Sequence, residues 1–135
     1  RLYLRDALEG LDEAARELQS ALVAAGERTF PAVMPGYTHL QRGQAVLLAH
    51  HLQAYVEMLA RDRERIAGAL GRVDVLPLGA CACAGTSLPI DRAMTARLLG
   101  FPRVSANSLD TVSDRDHMLE TASVVSITNS NRIGS

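Results

Sequence analysis

From Leu2 onward, apolar residues recur at intervals of two to four, mostly three and four: Leu2, Leu4, Leu8, Leu11, Ala15, Leu18 and Leu22. That spacing draws one apolar stripe along an α-helix. It predicts a first helix from the start of the chain to about Gly26, which reads as its stop. Residues 27–43 contain Pro31, Pro35, Gly36 and Gly43 and lose the period. They read as a long irregular connection, and long connections often carry function. A second helix is predicted from about Gln44 to Leu70, with Gly71 as its C′ residue. At about 1.5 Å per residue it would span roughly 40 Å. Its first half, from Ala45 to Leu59, is apolar nearly all round, and such a helix must be surrounded by other helices. Its second half carries Arg61-Asp62-Arg63-Glu64-Arg65, which reads as a solvated face with local ion pairs.

Residues 72–90 are again irregular, with Pro77, Gly79, Gly85 and Pro89. Asp91 reads as the N-cap of a short helix through Leu99 that Gly100 closes. Asn107 or Ser108 is the expected cap of the next segment, where helical spacing resumes at Val112, Leu119 and Val124. Ser113 with Asp116 resembles a capping arrangement. The final TNSNRIGS is polar and loses the period, so residues 129–135 read as a frayed or foreign tail after a partial helical-bundle domain over 1–128. No strand alternation and no repeat is visible. The expected fold class is all-α, a long-helix bundle. Two helices this apolar cannot cover each other, so the missing surface must come from further chain or from other subunits. Arg1 already lies inside a helical pattern that nothing caps, and the chain reads as an internal piece of something longer.

Composition supports this picture and narrows the partners. Of 135 residues, 47% are hydrophobic, which is enough for a core, yet only 4% are aromatic and there is no Trp. The apolar content is mostly Ala, Leu and Val, residues that suit packed helices. Fourteen basic against fifteen acidic residues leave a net charge of −1, so nothing electrostatic points to nucleic acid or an anionic membrane. No apolar run approaches the roughly 20 residues of a transmembrane helix, and no signal peptide is visible. Cys81 and Cys83 are the only cysteines, too close for good disulfide geometry and too few for a metal site; they read as small buried apolar residues. A reducing, cytoplasmic location fits.

The stretch that carries chemistry is MPGYTHLQ, residues 34–41. A Pro-Gly turn precedes Thr38 and His39, and the expected helix follows Gln41. A helix N-terminus offers free N–H groups and partial positive charge, which suits a carboxylate ligand. Thr38 can hydrogen-bond such a group, His39 can move a proton near neutral pH, and Gln41 can donate and accept. On spacing alone, a loop histidine that merely satisfies backbone groups explains His39 as well. His50, His51 and His117 read as packed or interfacial histidines. Arg115 is left between a substrate carboxylate and pairing with Asp110 or Asp116. No phosphate loop, nucleotide fingerprint, zinc spacing or nucleophile elbow is present.

The run MPGYTHLQRGQAVLLAHHLQAYVEMLARDRERI resembles the argininosuccinate lyase family, which includes the delta-crystallins. PLGACACAGTSLPIDR, NSLDTVSDRD and the opening RLYLRDALEGLDEAARELQSAL resemble further segments of it, so the likeness extends to about Ser126. MPGYTHLQ is shared in outline with the wider fumarase and aspartase superfamily. The resemblance implies a bundle of long helices assembled as a homotetramer. It implies β-elimination of argininosuccinate to arginine and fumarate in arginine biosynthesis, with no metal or cofactor. It implies that His39 is the acid/base histidine and that Thr38 binds substrate. The same resemblance places the family's serine-bearing loop after residue 135 and its first signature region before Arg1. The isolated chain is therefore expected to be inactive. Ala45 stands where the family commonly has Pro to start the helix, which is expected to weaken that start. Adenylosuccinate lyase, aspartase, or a crystallin-like relative without turnover are the alternatives.

Overall fold

The apolar stripe of the opening residues folds into α1, Leu2–Thr29, in a computed structural model whose described residues are 1–130. Then follow β1 (Val33–Thr38), β2 (Gln41–Leu47), α2 (Leu48–Val73), β3 (Val75–Leu76), α3 (Arg92–Leu99), β4 (Arg103–Val104), α4 (Ser108–Ser113) and α5 (Asp116–Ser130). The fold is mostly helical. Helix α1 does not stop at Gly26. That residue is buried inside the helix against α2, where an added Cβ would make ordinary van der Waals contact with Ala49 at 3.6 Å. The helix ends at Thr29 because Phe30, which precedes Pro31, is extended (φ −68°, ψ 133°).

Helices α1, α2 and α5 pack around Leu8, Ile66, Ala69, Val73 and Val124, flanked by Leu4, Leu11 and Leu70. Burying each of the leucine, isoleucine and valine side chains contributes about 1.5–3 kcal/mol. Arg63 ties α2 to α1 by donating to both Asp12 carboxylate oxygens at 2.8 and 3.1 Å and to Gln19 at 3.2 Å. The charged run 61–65 is therefore not simply a solvated face. Asp62 within it is buried and accepts from Arg65 at 2.8 Å. Helix α2 ends at Val73, two residues past the expected stop at Gly71.

A second, smaller core joins Leu76, Ala96 and Phe101, where β3 pairs in parallel with β4. Helix α3 forms as the sequence predicts: Asp91 caps it by accepting from the Met94 N–H at 2.8 Å, and Gly100 closes it with φ 71°. Asn107 caps α4 in the same way through the Asp110 N–H at 3.0 Å. Ser113 does not cap α5. Its hydroxyl donates back to Leu109 and Asp110 carbonyls, and Asp114 accepts the Asp116 N–H at 2.8 Å instead. Of the expected tail, Asn129 and Ser130 continue α5, while residues 131–135 lie outside the described residues.

The core is thin for so apolar a chain. Leu18, Val23, Phe30, Leu98, Leu109 and Leu119 all stand exposed.

Candidate active site

Residues 33–47 form an antiparallel hairpin, contrary to the expectation of an irregular connection running into a helix. Its register pairs Val33 with Leu47, Pro35 with Ala45, Tyr37 with Arg42 and Thr38 with Gln41. Between the second and third of these pairs β2 spends one residue more than β1, a bulge that tightens the local twist. Gly36 sits there, and a Cβ on it would come within 3.0 Å of the Gln44 carbonyl oxygen.

His39 and Leu40 alone make the turn, with φ of 49° and 61°. Two left-handed residues in a two-residue loop are the type I′ geometry that matches strand twist. Asn-Gly is the usual occupant. For an ordinary L-residue the left-handed region costs roughly 1–2 kcal/mol. Thr38, His39, Leu40 and Gln41 are all exposed at this tip. Among the described residues, no side-chain or backbone group hydrogen-bonds the His39 ring, so its imidazole is open to a ligand.

This placement corrects one premise. Helix α2 begins at Leu48, beyond the whole of β2, so its N-terminal N–H groups do not belong to the Thr38–His39 site. Ala45 lies in β2 opposite Pro35, so the identity of residue 45 bears on strand pairing and not on a helix start. What brings Thr38, His39 and Gln41 together is the hairpin turn.

The other candidates are dispersed. His50 and His51 are exposed on the first turn of α2, and the His51 ring meets Tyr55 edge-on at 5.4 Å. Arg115 pairs with neither Asp110 nor Asp116; it donates to the carbonyls of Val112 at 3.2 Å and Asp114 at 2.8 Å. Cys81 and Cys83 are both exposed and free, not buried, because the loop between β3 and α3 turns outward there with Cys81 at φ 55°. His117 is half-buried, its Nδ1 3.2 Å from Asp114 Oδ2.

Asp114 itself is a junction the sequence reading missed. Arg1 reaches it from the start of α1 while also donating to the Arg72 and Val73 carbonyls at the end of α2. Partial burial works to raise the Asp114 pKa, but the Asp116 N–H, His117 and Arg1 outweigh it and hold the carboxyl below its usual value. The signal was present: an Asp two residues ahead of a helix is a common turn acceptor.

An open cleft between α2 and α5 is lined by Arg61, Arg65, Arg72 and Glu120, well separated in the chain from the hairpin, and none of Thr38, His39 or Gln41 lines it. Among the described residues, no group of three or more His, Cys, Asp or Glu is placed to hold a metal ion, and no helix is long and apolar enough to cross a membrane.

The family profile described as Lyase matches residues 1–131. The chain belongs to the Lyase family. The match reaches past Ser126, where the visible likeness ended. Among curated relatives, this lyase chain is 56% identical over 127 residues to an argininosuccinate lyase from Synechococcus sp. (strain CC9605), covering 94% of the chain and 27% of that relative. It is 53% identical over 127 residues to the argininosuccinate lyase of Prochlorococcus marinus, covering 94% of the chain and 28% of the relative. Among solved structures it is similar to an EDDS lyase variant with bound fumarate, at 36% identity and a TM-score of 0.92 over 97% of this chain and 26% of that one. An EDDS lyase in complex with formate gives the same TM-score and identity over 96% of this chain. The lyase chain thus spans about 27% of the length of the argininosuccinate lyases it resembles.

Proposed function

We propose that the full-length protein is an argininosuccinate lyase that releases fumarate and arginine by β-elimination. The observation that carries this reading is identity above 50% to argininosuccinate lyases across nearly the whole chain, against 36% to an EDDS lyase. In the reaction a base removes a proton from the carbon next to a carboxylate. The C–H electron pair becomes the double bond of fumarate, and the bond to the guanidinium nitrogen breaks. That nitrogen leaves as arginine after gaining a proton. His39 carries one of the two protons, and Thr38 holds a substrate carboxylate. Negative charge builds on the carboxylate during the elimination, so hydrogen-bond donors around it lower the barrier.

The hairpin supports these roles in two ways. It leaves the His39 ring exposed, and the adjoining Thr38 hydroxyl sits at the paired end of β1. A ring with no hydrogen-bond partner among the described residues is free to meet substrate. The broad exposure of large apolar side chains supports a homotetramer, in which further helices cover them. We place the enzyme in the cytoplasm and assign it no metal or organic cofactor, since proton transfer and carboxylate binding suffice for this elimination.

The test is fumarate release, followed by its ultraviolet absorbance. Full-length protein given argininosuccinate, adenylosuccinate, aspartate or EDDS should release fumarate rapidly only from the first. Preference for any other of the four would move the protein to that branch of the superfamily, and no release from any would favour a crystallin-like scaffold.

A further inference from the structure

The bulge in the hairpin is built on a glycine that its backbone conformation does not require. Among the described residues, left-handed glycines are Gly79, Gly85 and Gly100, and Gly36 is not one of them. What demands glycine at position 36 is space. A Cβ there would lie 3.0 Å from the Gln44 carbonyl oxygen and 3.4 Å from Cγ1 of Val46. The first of these neighbours is backbone, so it cannot swing aside as the end of a long side chain could. It yields only if β2 itself moves. Gly43, on the other strand of the bulge, is under no such pressure. A Cβ on it would meet the Gly36 carbonyl oxygen at 3.5 Å and Thr38 Oγ1 at 3.8 Å, which is ordinary van der Waals contact. Beyond the bulge the strands keep only the pairs Tyr37 with Arg42 and Thr38 with Gln41 before His39 and Leu40 turn. A bulge bends its strand and raises the local twist, so it sets the direction of what lies past it.

We propose that Gly36 is a positioning residue: its missing side chain lets β1 and β2 close at the bulge, and that closure sets the direction in which the turn presents His39 to substrate. The inference rests on the lyase reading above, in which His39 carries a proton. The path is short and lies within one strand pair. A Cβ at position 36 pushes the Gln44 carbonyl, β2 carries the push to Gln41, and the Thr38–Gln41 pair passes it to the turn. Proton transfer feels such a shift more than binding does. It needs heavy atoms within about 2.6–3.2 Å of each other, whereas a substrate held at several points tolerates a small displacement at one of them.

The experiment uses the full-length protein and argininosuccinate. Gly36→Ala should lower kcat roughly 10- to 100-fold with KM within about threefold of the parent, and Gly43→Ala should keep kcat within about threefold. In a His39→Asn background, Gly36→Ala should change the remaining turnover by less than about threefold, because the group it positions is gone. A general loosening of the fold would instead lower both backgrounds by the same factor. Should His39→Asn leave turnover below detection, the kcat-against-KM split and the Gly43 comparison decide. If Gly36→Ala alone does not fold, Gly36→Ala/Val46→Ala, which opens the 3.4 Å contact and keeps the one to Gln44, is assayed against Val46→Ala with the same expectations. Parent-like kcat in Gly36→Ala, equal losses in the two glycine variants, a rise in KM alone, the same loss with and without His39, or failure of both Gly36 variants to fold would overturn the inference. If His39→Asn by itself keeps full turnover, the reading of His39 beneath the inference fails. If His39→Asn is inactive and Gly36→Ala is normal, only the Gly36 inference fails.

Discussion

Cys81 and Gly79 sit two residues apart in left-handed backbone (φ 55° and 85°) and respond to substitution in opposite directions. Cys81 is exposed and its thiol makes only a long, weak hydrogen bond of 3.8 Å to the Gly79 carbonyl oxygen, so Cys81→Gly relieves backbone strain at little cost in contacts. It should stabilise the protein by about 1 kcal/mol, read as a higher thermal midpoint. Gly79 has no room to change. A Cβ there would lie 2.8 Å from Cγ of Arg92, whose guanidinium is fixed by the Leu78 carbonyl at 2.8 Å and Ser105 Oγ at 2.9 Å. Gly79→Ala should cost about 2 kcal/mol or more by denaturant unfolding. At this scale the sequence disclosed residue types well and environments unevenly. Thr38 and His39 were singled out as candidates by the Pro-Gly pair before them and by the family resemblance, and both stand at an exposed turn. The burial of Asp62 could not be picked out, because its neighbours Arg61, Arg63, Glu64 and Arg65 make the whole run look solvated. The exposure of the two cysteines was hidden for the converse reason, since thiols among alanines look like core.

Elements with strong local signals were the legible ones. Helix α3 was bounded correctly because an Asp cap and a Gly stop flank it, and Asp91→Ala should therefore cost about 1 kcal/mol of stability. Helices α1 and α2 were found by their period, and Ile66→Ala at their shared core should cost about 2–5 kcal/mol in chemical denaturation. The hairpin was missed because its turn is written His-Leu, not Asn-Gly, so the usual signature of a left-handed pair was absent. Ala45, Val46 and Leu47 compounded the error. They continue the apolar run of α2 without a break, and only the Pro-Gly content of residues 31–43 hinted that the helix began later. The consequence is geometric: His39 is presented by an exposed turn, with the whole of β2 between it and the N-terminus of α2.

For the whole molecule, acid stability depends on the junction at Asp114, which joins α1, the end of α2 and the start of α5. Its folded-state pKa lies below the unfolded value of about 3.9, so its contribution is present above that pH and is lost as pH falls through the folded value. Asp114→Asn should lower the thermal midpoint at pH 6 and narrow the gap between parent and variant at pH 3. At the same scale, the exposed apolar surface was foreseeable from helices too apolar to cover one another, whereas its distribution over the hairpin tip was not. The 135-residue chain on its own should show no turnover, since the proposed site needs groups beyond His39, Thr38 and Gln41. The most direct measurement of the central claim is kcat for argininosuccinate in the full-length protein and its His39→Asn variant, with binding of substrate followed separately. A proton-carrying His39 predicts a loss of at least about 100-fold in kcat with substrate binding largely kept; equal kcat in the two proteins would contradict it.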